Sequence, residues 1–223
     1  MAGARGYIVL NLKAYSESTG KEAVRLAKLA NEVALETGVK VIACVQATDL
    51  AAVASSVKIP VFAQHVDAKK PGAFTGSIVP EAVKAAGANG TLINHSERKL
   101  PLALVGETVA RCKEAGILTM VCAATVEETE AVARFSPDFI AIEPPELIGS
   151  GISVSTANPD IVKNAVKAVR KVANIPVLCG AGISTGGDVG KAMQLGAAGV
   201  LLASAYVKAK EPKKLLLEMA KSA

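Results

Sequence analysis

A chain of 223 residues, 51% of them apolar, can bury a large core and falls in the size range of one α/β domain. Its formal charge of +5 is spread over lysines along helical segments without a basic block, and aromatic residues make up only 3%; this excludes a stacking, phosphate-tracking surface for nucleic acid and leaves a modest field suited to steering a small anion. No apolar run approaches the roughly 18 residues needed to cross a bilayer, and Met1-Ala2-Gly3-Ala4-Arg5-Gly6 leads straight into a strand pattern without a signal-peptide core, so the chain is expected in the cytoplasm with no membrane partner.

In chain order, short β-branched runs alternate with longer stretches at helical spacing. The predicted strands are Ile8 to Leu12, Val39 to Cys44, Val61 to Gln64, Gly90 to Asn94, Leu118 to Cys122, Phe139 to Glu143, Pro176 to Gly180 and Gly199 to Ala203. After the first, Gly20 to Thr37 sets Ala23, Leu26, Ala27, Ala30, Val33 and Ala34 on one stripe, which predicts an amphipathic outer helix. Weaker helical patterns cover Thr48 to Ser56, Pro80 to Ala86, Leu102 to Ala115, Gly187 to Leu195 and Glu211 to Ala220. Thr125 followed by Glu128 reads as a capping box, and Asn158-Pro159 as a capping amide before a proline at the first helical position. The longest non-periodic stretch, Pro144 to Ala157, reads as a functional loop. Cys44, Cys112, Cys122 and Cys179 lack CxxC spacing and read as buried, reduced thiols.

Eight βα units in tandem favour a closed (β/α)8 TIM barrel occupying residues 1–223 as a single domain, because parallel strands need both faces covered and closure removes the edges. An open doubly wound sheet is the alternative. In such a barrel chemistry gathers where strands end. Asn11 and Lys13, two residues apart on strand one, share a face; Lys13 either swings to solvent or meets an anion in the barrel mouth. His95 stands at the lip of strand four, ahead of backbone amides that disfavour an imidazolium, with Glu97 nearby as a partner for a buried lysine. Strand six closes on Glu143, whose proton affinity rises if water is excluded. The following Pro144-Pro145 and Gly149-Ser150-Gly151 have the build of a lid, stiff at one end and free at the other. Gly180-Ala181-Gly182-Ile183-Ser184 and Leu202-Ala203-Ser204-Ala205 let backbone N–H groups approach a ligand, as a phosphate cradle would require; close helix packing explains such small residues equally well.

Taken together, Asn11-Leu12-Lys13, Ala63-Gln64-His65-Val66-Asp67, His95-Ser96-Glu97-Arg98, Glu143-Pro144 and Ile148-Gly149-Ser150-Gly151 resemble the triosephosphate isomerase family over essentially the full chain. Glu143-Pro144-Pro145-Glu146-Leu147-Ile148-Gly149 is similar to its compact archaeal branch, whereas commoner members carry a lid tryptophan and consecutive glycines where this chain has Ala203-Ser204. The resemblance implies proton transfer between adjacent carbons of a phosphorylated triose, needing no metal and no organic cofactor. It implies that Glu143 is the carbon base, that a neutral His95 shuttles protons on the substrate oxygens, and that Lys13, oriented by Glu97, offsets negative charge. Asn11 would help position substrate, while Ile148 or Gly149, Gly182, Ser184, Ala203 and Ser204 would hold the phosphate. A homotetramer is implied, with a dimer as the alternative. The rival readings are another phosphate-binding barrel, such as a thiamine-phosphate synthase-like enzyme, and a non-catalytic barrel.

Overall fold

The computed structural model describes residues 6–144 and 153–223. Its strands are β1 (Tyr7–Asn11), β2 (Lys40–Val45), β3 (Val61–Ala63), β4 (Gly90–Ile93), β5 (Leu118–Ala123), β6 (Phe139–Ile142), β7 (Val177–Cys179) and β8 (Gly199–Leu202). All pair in parallel with their sequence neighbours, and β8 returns to β1, so the sheet closes into a barrel. The open sheet is thereby replaced by a ring without edges.

Around it run α1 (Lys21–Thr37), α2 (Leu50–Ala54), α3 (Pro80–Ala85), α4 (Leu102–Ala115), α5 (Val126–Ala133), α6 (Val154–Ala157), α7 (Pro159–Val172), α8 (Gly186–Gln194), α9 (Ser204–Val207) and α10 (Pro212–Ala220). In α1 the stripe Ala23, Leu26, Ala27, Ala30 and Val33 is buried, and Gly38 ends the helix in a left-handed cap with φ 72°. Burying one such leucine contributes about 1.5–3 kcal/mol, so stripes of this kind bind the helices to the barrel.

The strand period of two splits the core into two layers. Ile8 and Leu10 face the helices, whereas Val9 points into the barrel beside Ile42, Phe62, Leu92, Met120, Ala141, Leu178 and Leu201. Small glycines make room for this interior: a Cβ on Gly90 would lie 2.7 Å from Phe62 Cζ, and one on Gly199 would lie 2.2 Å from the Tyr7 carbonyl oxygen.

Several local expectations change. The non-periodic stretch ends in a helical turn, α6, packed on α7 and α8 through the buried Ser155 rather than remaining loop throughout. Asn158 makes no side-chain cap, although Pro159 does open α7; the proline's fixed φ suits the first helical position without that amide. Thr125 Oγ1 accepts from Glu128 N at 3.1 Å, yet the Glu128 carboxylate accepts from Ala124 N at 2.7 Å instead of closing the box on Thr125. A complete capping box occurs at α8, where Thr185 and Asp188 satisfy each other's backbone N–H. The four cysteines are free and buried.

Candidate active site

Strand parity carries two polar groups to the barrel mouth. Val9 and Asn11 face inward on β1, and Ala141 and Glu143 do so at the end of β6. They meet His95, Lys13 and the small residues after β7 and β8 around a cavity of about 380 Å³. A second cavity of about 440 Å³ adjoins it, sharing Asn11, Lys13 and His95 and adding Gln64 and Glu97.

Glu143 is only 3% exposed, and its Oε2 has no hydrogen-bond partner among the described residues. Burial pushes its carboxyl up to about 7; the weakly donating Cys122 thiol beside it and the Lys13 ammonium pull the other way. An under-satisfied carboxylate of that proton affinity is suited to take a proton near neutral pH. Its Oε1 lies 3.8 Å from His95 Nε2, too far for a direct hydrogen bond. Gly180 lines the same cavity and has a second part: a Cβ there would lie 2.5 Å from Glu143 Cγ, so the bare glycine is what leaves this side chain its place.

His95 reaches the cavity through a break in strand parity. Asn94 takes a left-handed φ of 63°, which turns the following residue inward. That turn is pinned on three sides: Asn94 Nδ2 donates to Cys122 O at 2.8 Å and to Glu128 Oε1 at 2.8 Å, while Leu100 N donates to Asn94 Oδ1 at 2.9 Å. Lys99 Nζ completes the strap on Glu128 at 2.5 Å. The imidazole Nδ1 accepts from Glu97 N at 3.2 Å, so its lone pair is committed there and a neutral ring carries its proton on Nε2, facing Glu143. Burial lowers the His95 pKa, Glu97 opposes this, and Lys13 and Lys99 add to it. The expected result of an NMR pH titration is therefore a His95 protonation step displaced below the ordinary value of about 6.5. A step raised above neutrality would mean that the ring is an imidazolium donor there, and an unshifted step that burial does not hold the ring neutral.

Lys13 lies beyond the end of β1, in a left-handed conformation with φ 50°. Strand alternation does not extend that far. Its backbone N–H donates to Asn11 Oδ1 at 3.0 Å, and its Nζ pairs with Glu97 Oε1 at 2.7 Å. Gln64 Nε2 donates to Asn11 Oδ1 at 3.2 Å and to Lys13 O at 3.0 Å, tying the end of β1 to that of β3. Gln64 belongs to the Ala63-Gln64-His65-Val66-Asp67 motif, in which the sequence assigns it no role; an amide at a strand end is the one signal for it.

At the opposite end of the cavity stand Gly182, with φ 69°, Ser184, Ala203 and Ser204. The Ser184 N–H and hydroxyl both donate to Asp188 Oδ2, at 3.0 and 3.3 Å, so the capping box of α8 also fixes this loop. Of the expected site residues, Asn11, Lys13, His95, Glu143, Gly182, Ser184, Ala203 and Ser204 line one cavity and Glu97 reaches it through Lys13. Of the expected lid, Pro144 to Gly151, only the buried Pro144 is among the described residues; 145–151, with Ile148 and Gly149, lie outside them. Among the described residues no cluster of three metal-ligating side chains occurs.

A parallel eight-stranded barrel with a buried carboxylate and an inward imidazole at its strand ends defines a (β/α)8 protein with an acid–base site. A family model for triosephosphate isomerase matches residues 6–223, and the chain belongs to that family. It is 51% identical over 216 residues to the triosephosphate isomerase of Methanothermus fervidus, covering 96% of this chain and 97% of that protein. It is 48% identical over 215 residues to the one from Methanocaldococcus jannaschii, covering 96% and 98%. The corresponding protein of Methanothermobacter thermautotrophicus is 50% identical over 213 residues, covering 95% and 93%. Neither a thiamine-phosphate synthase-like barrel nor a non-catalytic one is favoured by these matches.

Proposed function

We propose that the protein interconverts D-glyceraldehyde 3-phosphate and dihydroxyacetone phosphate. The observation that carries this reading is the buried Glu143 carboxyl, raised to about 7, standing 3.8 Å from the Nε2 of His95 across a cavity floor. Glu143 takes the proton from the carbon beside the carbonyl. The C–H electron pair moves into the new C=C bond, and the carbonyl oxygen gains negative charge. His95 Nε2–H donates to that oxygen and later collects the neighbouring hydroxyl proton, which permits the Glu143 proton to return to the adjacent carbon. Lys13, oriented by its 2.7 Å contact with Glu97, offsets the enediolate charge in a site of low dielectric.

Asn11, whose amide is fixed by Lys13 N and Gln64, positions the substrate oxygens. Gly182, Ser184, Ala203 and Ser204 form the phosphate end, and on sequence alone Ile148 and Gly149 are assigned to the same phosphate. An assay supplying glyceraldehyde 3-phosphate, without added metal or nucleotide, is expected to yield dihydroxyacetone phosphate. Absence of that product from folded protein would overturn the reading.

Residues 1–223 form one catalytic domain, since β8 closes on β1 and every described helix packs around that ring. Four free, buried thiols suit a reducing cytoplasm, and no described helix is long and apolar enough to cross a membrane. The assembly is read as a homotetramer, on the likeness of Glu143-Pro144-Pro145-Glu146-Leu147-Ile148-Gly149 to the compact archaeal branch. Sedimentation showing a single dimer-sized species would replace it by a dimer.

A further inference from the structure

The charge around the cavity is unevenly placed. At the inner end Lys13 is already paired with Glu97, and the buried Glu143 carboxyl faces the same space. At the outer end, beyond Ser204, the lining includes one more cation, Lys208. Its backbone N–H donates to Ser204 O at 2.9 Å, which sets it one helical turn from Ser204. No carboxylate lies within ion-pair distance of its Nζ among the described residues. The ammonium instead sits 4.4 Å from the centroid of the Tyr15 ring, which lines the same cavity and packs against the hydrophobic core. Glu17 is a carboxylate that feels its field, and that group already accepts from Ser16 Oγ at 2.8 Å.

A cation over an aromatic face keeps its charge available, because the ring holds it without neutralising it. Tyr15 follows β1 and Lys208 follows β8, strands that closure makes neighbours. We propose that Lys208, held by Tyr15, is a substrate-binding residue that captures a phosphate monoester dianion and directs that end of the substrate outward. The uncharged carbonyl end then enters first, toward Glu143 and His95. This rests on the isomerase reading for the identity of the substrate, but the anion contact stands on the geometry of Lys208 and Tyr15.

The test compares Lys208→Gln with the wild type on two substrates. On glyceraldehyde 3-phosphate at low salt, kcat/KM is expected to fall by about tenfold, through KM more than kcat, and the deficit to shrink as salt screens the field. On D-glyceraldehyde, which lacks the phosphate, the loss is expected to stay within about twofold, since no dianion is there to steer. Lys208→Arg is expected to recover most of the loss, and Tyr15→Leu to add little to Lys208→Gln because both remove one device. Calorimetry with 2-phosphoglycolate gives a readout independent of turnover, with an expected affinity loss of about tenfold in Lys208→Gln at low salt. Wild-type protein that binds 2-phosphoglycolate without isomerising the triose would sink the isomerase reading and leave the anion contact to be decided by that affinity. Equal losses on the two substrates, or unchanged 2-phosphoglycolate affinity in Lys208→Gln, would overturn the contact itself.

Discussion

Glu143→Gln is expected to leave the barrel folded and to lower kcat by about 10²–10⁴, the range for loss of a general base. The amide fills the same space but cannot accept the carbon proton. In the wild type, kcat/KM is expected to decline on the acid side with an inflection close to the raised value of about 7, since the free enzyme must hold Glu143 ionised to act. The same shift has a consequence for stability. A carboxyl whose folded pKa is raised from 4.5 to about 7 holds its proton more tightly in the native state. Its favourable contribution is therefore present below the unfolded value and is lost as pH rises through the folded one. At pH 8 the ionised carboxylate costs the native state on the order of 3 kcal/mol, by the equivalence of one pKa unit to about 1.4 kcal/mol. Glu143→Gln is accordingly expected to be more stable than the wild type at pH 8, and to lose that advantage by pH 4. Chemical denaturation at both pH values, beside the rate measurement, checks the pair. Near-normal turnover in a folded Glu143→Gln protein would falsify the assignment of the base.

Gly180→Ala is expected to lower kcat by about 10²-fold, as misplacing a reacting group by an ångström does. Gly180 has no left-handed φ that would strain an alanine, so the backbone tolerates the change. The collision is with the base: the new methyl would lie 2.5 Å from Glu143 Cγ and 3.1 Å from Cδ. One of the two must move, and the methyl is fixed to a strand end paired through Gly180 N and Ile142 O. Placed in the Glu143→Gln background, the same substitution is expected to cost little more activity, because the group it displaces no longer acts. A circular dichroism melt close to that of the wild type would show that the fold is kept. Turnover within about threefold of the wild type would mean that Glu143 works from a place the methyl does not reach, against the geometric expectation.

The order of elements and much of the site were legible in the amino-acid sequence because both depend on local periodicity. A strand repeats every two residues, so the same alternation that buries Phe139 and Ala141 inside the barrel carries Glu143 to its mouth. A helix repeats every 3.6, so the alanine and leucine stripe of α1 announces an outer helix without reference to anything else in the chain. Asn11, His95, Glu143 and the residues after β7 and β8 could thus be placed at strand ends by counting.

Only the tertiary structure decided how those ends face one another. Counting carries His95 to a lip but not into the cavity; the left-handed Asn94 does that, and its conformation is held by Cys122 O and Glu128, 28 and 34 residues away. The link from Gln64 to Asn11 spans 53 residues, and that from Lys13 to Glu97 spans 84. The small residues around Gly180 mark it as cavity lining, but only the folded ring shows that its absent side chain also leaves room for a residue on the next strand. Tyr15 and Lys208 meet because β8 closes onto β1. Periodicity is a property of adjacent residues and survives in the linear chain. Contacts across the ring exist only after loop closure has brought distant strand ends together, and no local pattern encodes their distances.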